Sequence, residues 1–153
     1  MSALSPDDAR AELERLYRET VLAHYRNPRN RSPLAAPQGR ALVDNPVCGD
    51  QVRVEVKLDD GRIAEVSAVG RGCSIAVASG SVMTELVKGL DRAAAAALGS
   101  ALDDLVHARP VPDDLVPELR AFARVADLPS RRRCALLAWE ALDQALNEAQ
   151  ARP

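Results

Sequence analysis

The sequence predicts an α+β fold: a small three-stranded antiparallel sheet covered by helices. Two observations carry this. In the middle of the chain, "QVRVEVKLDDGRIAEVSAVG" alternates apolar and polar residues about Asp60-Gly61, a strong local hairpin signal. On both sides of it the apolar period becomes helical. A short sheet with one apolar face has to be covered, and helices are the available cover.

Taken in order, "SPDDARAELERLYRETVLAHYRNPRN" reads as an amphipathic helix. Ser5 caps it, Pro6 suits its first position, and Asp7 and Asp8 favour the positive end of the dipole. Leu13, Leu16, Tyr17, Thr20, Val21 and His24 share helical spacing, and Asn27-Pro28 stops the run. "PRNRSPLAAPQGR" is a proline-rich loop, and "ALVDNP" supplies a third, edge strand. The hairpin then sets Val52, Val54, Val56 and Leu58 on one face, followed by Ile63, Val66 and Val69.

From Ser74 the stripe Ile75, Ser79, Val82, Met83, Leu86 and Val87 predicts a helix with Gly89 at its C-cap. Gly80 among small residues predicts a close approach of this helix to the sheet. The following segment, with breaks at Gly99, Pro110 and Pro112, reads as short helices. The last helix is capped by Ser130 and carries Cys134, Leu137, Ala138, Ala141, Leu142, Ala145 and Leu146 as its buried stripe. Residues 1–153 read as one domain without internal repeats.

Composition narrows the function. The chain has 153 residues, 47% of them hydrophobic and 27% charged, and a net charge of -2, the profile of a soluble globular protein. It lacks the basic excess of a nucleic-acid footprint, and its one Trp, two Tyr and one Phe leave little to stack on bases. No apolar run is long enough for a membrane span. The N-terminus is acidic and polar where a signal peptide is basic and then apolar, so a cytoplasmic protein is expected. Its three cysteines should therefore be reduced, as buried thiols, metal ligands or nucleophiles.

Each cysteine lies at a junction. Cys48, in "NPVCGD", is in the turn entering the hairpin, Cys73 begins the next helix, and Cys134 is in the first turn of the last one. Helix N-termini favour thiolate, so Cys73 and Cys134 are placed where ionisation is promoted. Core burial explains Cys134 equally well, and Cys73 is open to the same reading. Cys48 differs, because Gly49 lets the backbone turn so that Cys48 and Asp50 aim at one point. Three thiolates and one carboxylate complete a tetrahedral shell suited to zinc or iron–sulfur chemistry. Arg53, Arg71, Arg131, Arg132 and Arg133 lie nearby in sequence and could offset its negative charge; a solvated basic face accounts for them as well. Neither a paired CxxC nor an HExxH accompanies the cysteines. His24 and His107 read as structural or exposed.

"NPVCGD", "DDGRIAEVSAVGRGCSIAVASGSVMTELVKG" and "RRRCALLAWEAL", with "LAHYRNPRN" in the first helix, together resemble the U-type iron–sulfur assembly proteins, the IscU/SufU family with its NifU N-terminal-like members. The resemblance implies the SufE/NifU-like fold and carries the metal ligands over to Cys48, Asp50, Cys73 and Cys134. Arg133 stands where IscU-type scaffolds have a histidine, and the alanine-rich stretch 91–111 reads as an insertion. Both features resemble the SufU branch, zinc-bound sulfur acceptors for the cysteine desulfurase SufS within the SUF assembly components. By that resemblance Cys48 accepts persulfide sulfur after a histidine of the desulfurase replaces it on zinc, and Arg131 steers the persulfide or the partner. The alternative role in this family is a scaffold that builds and transfers an iron–sulfur cluster. A structural zinc domain is a further rival, and Asp50 in the shell argues against it.

Overall fold

The computed structural model describes residues 5–151. The N-terminal residues 1–4 and the final residues 152–153 lie outside the described part, so the acidic N-terminus is seen only from Ser5. Ser5 caps the first helix as expected, its hydroxyl accepting the Asp8 N–H at 3.1 Å. Helix α1 (Pro6–Leu16) widens into a π-helical turn (Tyr17–Leu22) and ends as α2 (Ala23–Arg26). The apolar face expected along it is mostly not interior. Within it only Val21 and His24 are buried, because α1 packs lightly against later helical turns while α2 meets the core helix.

The sheet has order β1-β2-β3 and is antiparallel, from β1 (Gly39–Asn45), β2 (Asp50–Asp59) and β3 (Arg62–Arg71). Asp60 and Gly61 both take left-handed φ values, 53° and 76°, the signature of a type I′ hairpin turn. Val52, Val54 and Val56 are fully buried and face Gly70, Ala68 and Val66 across the ladder. Val69 therefore lies on the opposite face, opposite Arg53, and not on the apolar face with Ile63 and Val66. The reason is a register shift between Lys57 and Leu58 that changes the parity of the two strands.

Helix α3 (Ser74–Val87) lies on β3 and against the last helix, α6 (Arg132–Ala151), which covers β1 and β2. Gly80 is packed between Ala68 of the sheet and Ala138 of α6, as its small-residue setting predicts. Ser79 locks the two helices: its hydroxyl donates to the Ala135 carbonyl at 2.6 Å and accepts the Trp139 indole N–H at 3.2 Å. That pair of bonds fixes the start of α6 relative to α3.

The segment between them differs from expectation at two points. Helix α4 (Arg92–Val106), capped by Asp91, runs through Gly99 unbroken. A β-carbon at Gly99 would stand 3.2 Å from the Trp139 ring, so the glycine admits an indole and does not end a helix. Helix α5 (Pro117–Arg120) and 3₁₀ turns at Ala123–Asp127 and Pro129–Arg131 follow. Ser130 sits inside the last of these turns, directly continuous with α6, and so is not its N-cap. Among the described residues no helix is long and apolar enough to cross a membrane.

Candidate metal centre

Antiparallel register brings the site together. Asn45 pairs with Asp50, closing β1 onto β2 around the turn that carries Cys48. Gln51 pairs with Arg71, which places the end of β3, and then Cys73 as the N-cap of α3, beside Asp50. The cover of β1 and β2 by α6 brings Cys134 in from above. Turn, strand end and two helix starts meet at one end of the sheet.

The sulfurs of Cys48 and Cys134 are 3.7 Å apart. Cys48, Asp50 and Cys134 each offer one donor atom, all within 4.8 Å of one another, a group that could hold a metal ion. Cys73 stands outside this tightest triplet. Its backbone N–H donates to Asp50 Oδ1 at 3.1 Å, and its thiol still acts on Asp50 and Cys134. Exposure grades across the group: Cys48 is exposed, Cys73 half-buried and Cys134 buried.

Asp50 is 2% exposed, and its Oδ2 is buried with no hydrogen-bond partner among the described residues. A buried carboxylate oxygen without a donor costs free energy unless a cation meets it. Burial works to raise the Asp50 carboxyl, but the thiols of Cys134, Cys73 and Cys48 and the Cys73 N–H outweigh it and hold the group below its ordinary value. Cys134 goes the other way. Burial first, then Asp50 and the other thiols, push it far above the ordinary thiol range, so its place at a helix start does not by itself make it a thiolate. A cation at the cluster would answer both the orphaned oxygen and the suppressed thiol. Soft sulfur donors with one carboxylate fit zinc or an iron–sulfur cluster.

Of the arginines near the ligands, Arg131 is the one that the thiols hold more firmly protonated, Cys73 foremost and then Cys134. Arg133 pairs with Glu140 at 2.8 Å and Arg132 donates to the Ala126 carbonyl at 2.8 Å. Arg53 and Arg71 share the outer sheet face with Gln51, away from buried Asp50. His24 is buried and held by Ser81 and Arg29, and His107 leans on the Asp103 carbonyl at the end of α4. Neither belongs to the site.

Two neighbours escaped the sequence reading. Gly72, at φ 124°, sits so close to Asp50 that a β-carbon there would meet the carboxylate at 1.9 Å. Asn45 is buried with its amide toward Cys134 Sγ at 4.0 Å. The signal for Asn45 was its place ahead of a turn, where the side chain can bond its own backbone two residues on.

Residues 16–153 match the NifU-like N-terminal domain family. The zinc-dependent sulfurtransferase SufU of Bacillus subtilis (strain 168) is 36% identical over 137 residues, 88% of this chain and 91% of the relative. The iron–sulfur cluster assembly scaffold protein IscU of Streptococcus pyogenes serotype M1 is 34% identical over 139 residues, 90% of this chain and 87% of the relative. In fold, the chain is similar to the crystal structure of a NifU-like protein (N-terminal) from Brucella abortus, with a TM-score of 0.82, 24% identity and coverage of 93% and 99%. With its sheet, its cysteine-carboxylate cluster and these relatives in agreement, the chain belongs to the NifU-like N-terminal domain family of iron–sulfur cluster assembly proteins.

Proposed function

We propose that this chain is a zinc-dependent sulfur acceptor that takes persulfide sulfur from a SufS-type cysteine desulfurase and passes it to SUF assembly components. The observation that carries the reading is the graded cluster: an exposed thiol 3.7 Å from a buried one, around a carboxylate with an orphaned oxygen. The resemblance to the SufU of Bacillus subtilis supports it, as does Arg133 in place of the scaffold-type histidine.

Cys48, Asp50, Cys73 and Cys134 would hold the metal. Bound there, zinc keeps the thiols deprotonated at neutral pH. Cys48 lies on a glycine-hinged turn and is the group able to swing toward a partner, while Cys134 is locked in α6. The Cys48 thiolate attacks the outer sulfur of the donor's persulfide. A new sulfur–sulfur bond forms on Cys48, the bond between the donor's own two sulfurs breaks, and the donor leaves as a thiolate. Arg131, beside the thiols, steadies the incoming anionic sulfur. The 91–111 stretch, mostly α4, is read as a branch-specific insertion in a single 1–153 domain, and a cytoplasmic setting keeps the thiols reduced.

The second reading is a scaffold that assembles and transfers an iron–sulfur cluster, favoured by the likeness to the Streptococcus pyogenes IscU and by a donor set that suits either cargo. Elemental analysis of untagged protein purified without added metal separates the two. About one zinc per chain, with stimulation of the desulfurase, supports the acceptor. Iron with matching acid-labile sulfide puts the scaffold first.

A further inference from the structure

We propose that Asn45 is a positioning residue, a latch that holds the turn carrying Cys48 closed over the buried thiol of Cys134. Asn45 ends β1 and is 3% exposed. Its backbone carbonyl accepts the Gly49 N–H at 2.8 Å and its side-chain Oδ1 accepts the Val47 N–H at 3.2 Å. Those two bonds span the turn on both sides of Cys48. Because the Val47 N–H can only donate, Oδ1 must face it, and the amide NH₂ is thereby turned toward Cys134. Nδ2 donates toward Cys134 Sγ at 4.0 Å.

One side chain therefore touches both the exposed and the buried half of the site. Through Oδ1 it shapes the turn, and through Nδ2 it gives the buried sulfur a donor. Val47, next to Cys48, is 93% exposed and contributes no packing that would keep the turn in place. Polar contacts are left to close the turn: the Cys48–Cys134 sulfur contact at 3.7 Å and, from Asn45, the side-chain bond to the Val47 N–H.

The inference uses the acceptor reading only for the role of Cys48, and its test needs no desulfurase. In metal-free, reduced protein, iodoacetamide labelling of each cysteine is followed by mass spectrometry for Asn45→Ala, Asn45→Ser and the unsubstituted chain. Losing both side-chain contacts, to the Val47 N–H and to Cys134 Sγ, should raise labelling of Cys134 about fivefold to tenfold in Asn45→Ala while Cys73 stays unchanged. Serine can still accept the Val47 N–H but cannot reach the sulfur, so Asn45→Ser should keep Cys134 protected. Zinc affinity, titrated with the metal alone, should fall about 10-fold or more in both variants, the usual loss when a residue supporting a ligand is removed.

Labelling and zinc affinity within twofold of the unsubstituted chain in Asn45→Ala would overturn the latch. So would a rise matched at Cys73 with a collapse of the melting temperature, since the side chain would then only hold the fold. If the chain carries iron in place of zinc, the acceptor reading fails while the metal-free labelling still decides the latch.

Discussion

Cys48 and Cys134 bring their sulfurs to 3.7 Å although one is exposed on a turn and the other is buried on a helix. The contact joins an exposed turn to the packed start of α6. Cys134 is flanked by Ala135, whose carbonyl takes the Ser79 hydroxyl, and by the packed stripe of α6. Cys48 has Gly49 behind it and solvent in front. An accessible thiol beside a buried one is what the proposed sulfur acceptance requires.

Replacing these two thiols should therefore have opposite consequences. Cys48→Ala should change the stability of the metal-free protein by no more than about 0.5 kcal/mol, as exposed substitutions do, and abolish sulfur acceptance. Cys134→Ala removes one buried heavy atom and should cost about 1 kcal/mol. Urea melts of the metal-free variants, alongside labelled sulfur transfer from a persulfide donor, measure both. Undiminished transfer to Cys48→Ala would move the acceptor to another thiol.

Gly72 and Gly49 are both left-handed, yet their neighbours differ. A β-carbon at Gly72 would lie 1.9 Å from Asp50 Oδ1, whereas at Gly49 it would meet nothing within 4 Å among the described residues. Gly72→Ala should displace the carboxylate, lose tight metal binding and cost about 1–3 kcal/mol in backbone strain alone. Gly49→Ala should cost about 1–2 kcal/mol for its positive φ and keep the metal. Metal content and melting temperature of the two variants distinguish a ligand-positioning glycine from a merely flexible one.

Where periodicity and turn chemistry act locally, the sequence was enough. The three valines of β2, the Asp60-Gly61 turn and the buried stripe of α6 follow from spacing alone. Placing the cysteines at element ends made their convergence arguable, and antiparallel register brought it about. What stayed hidden depends on contacts between distant residues. Gly99 looks like a breaker until Trp139 arrives from forty residues away to fill the space above it. Val69 looks inward until the bulge at Lys57 and Leu58 shifts its parity. The high-lying Cys134 thiol follows from burial, which a helix-start position does not disclose.

The glycines of α3 and α4 should respond differently to alanine. At Gly80 the added carbon would sit 3.5 Å from the Ala68 methyl and 3.6 Å from that of Ala138, ordinary contact distances. Gly80→Ala should stabilise the protein by about 0.5–1 kcal/mol through helix propensity. At Gly99 the same gain is opposed by the Trp139 ring at 3.2 Å, which has to give way. Gly99→Ala should gain less or lose. Guanidinium melts of both variants test the ordering; equal gains would show that α4 can shift off the indole freely.

His24 makes the stability of the fold depend on pH. Its Nδ1 lies 2.7 Å from the Ser81 hydroxyl, and Arg29 Nη1 approaches Nε2 at 2.9 Å. A cation donating to Nε2 requires that nitrogen unprotonated, so the ring is neutral with its proton on Nδ1. Burial first, and the Arg29 charge second, depress its pKa below 6.5, against the weaker opposing pull of Glu85 and Glu118. The sign follows from linkage. With the folded value depressed, the unfolded chain binds more protons between the two values. His24 therefore contributes its full stability above about pH 6.5, and that contribution is lost as pH falls from there through the folded value, by at most about 1.4 kcal/mol per pH unit. His24→Gln removes the titrating group. Urea melts from pH 8 to pH 5 should show the unsubstituted chain losing stability below pH 6.5 more steeply than the variant. Parallel curves would mean that the histidine opens to solvent and titrates as it does in the unfolded chain.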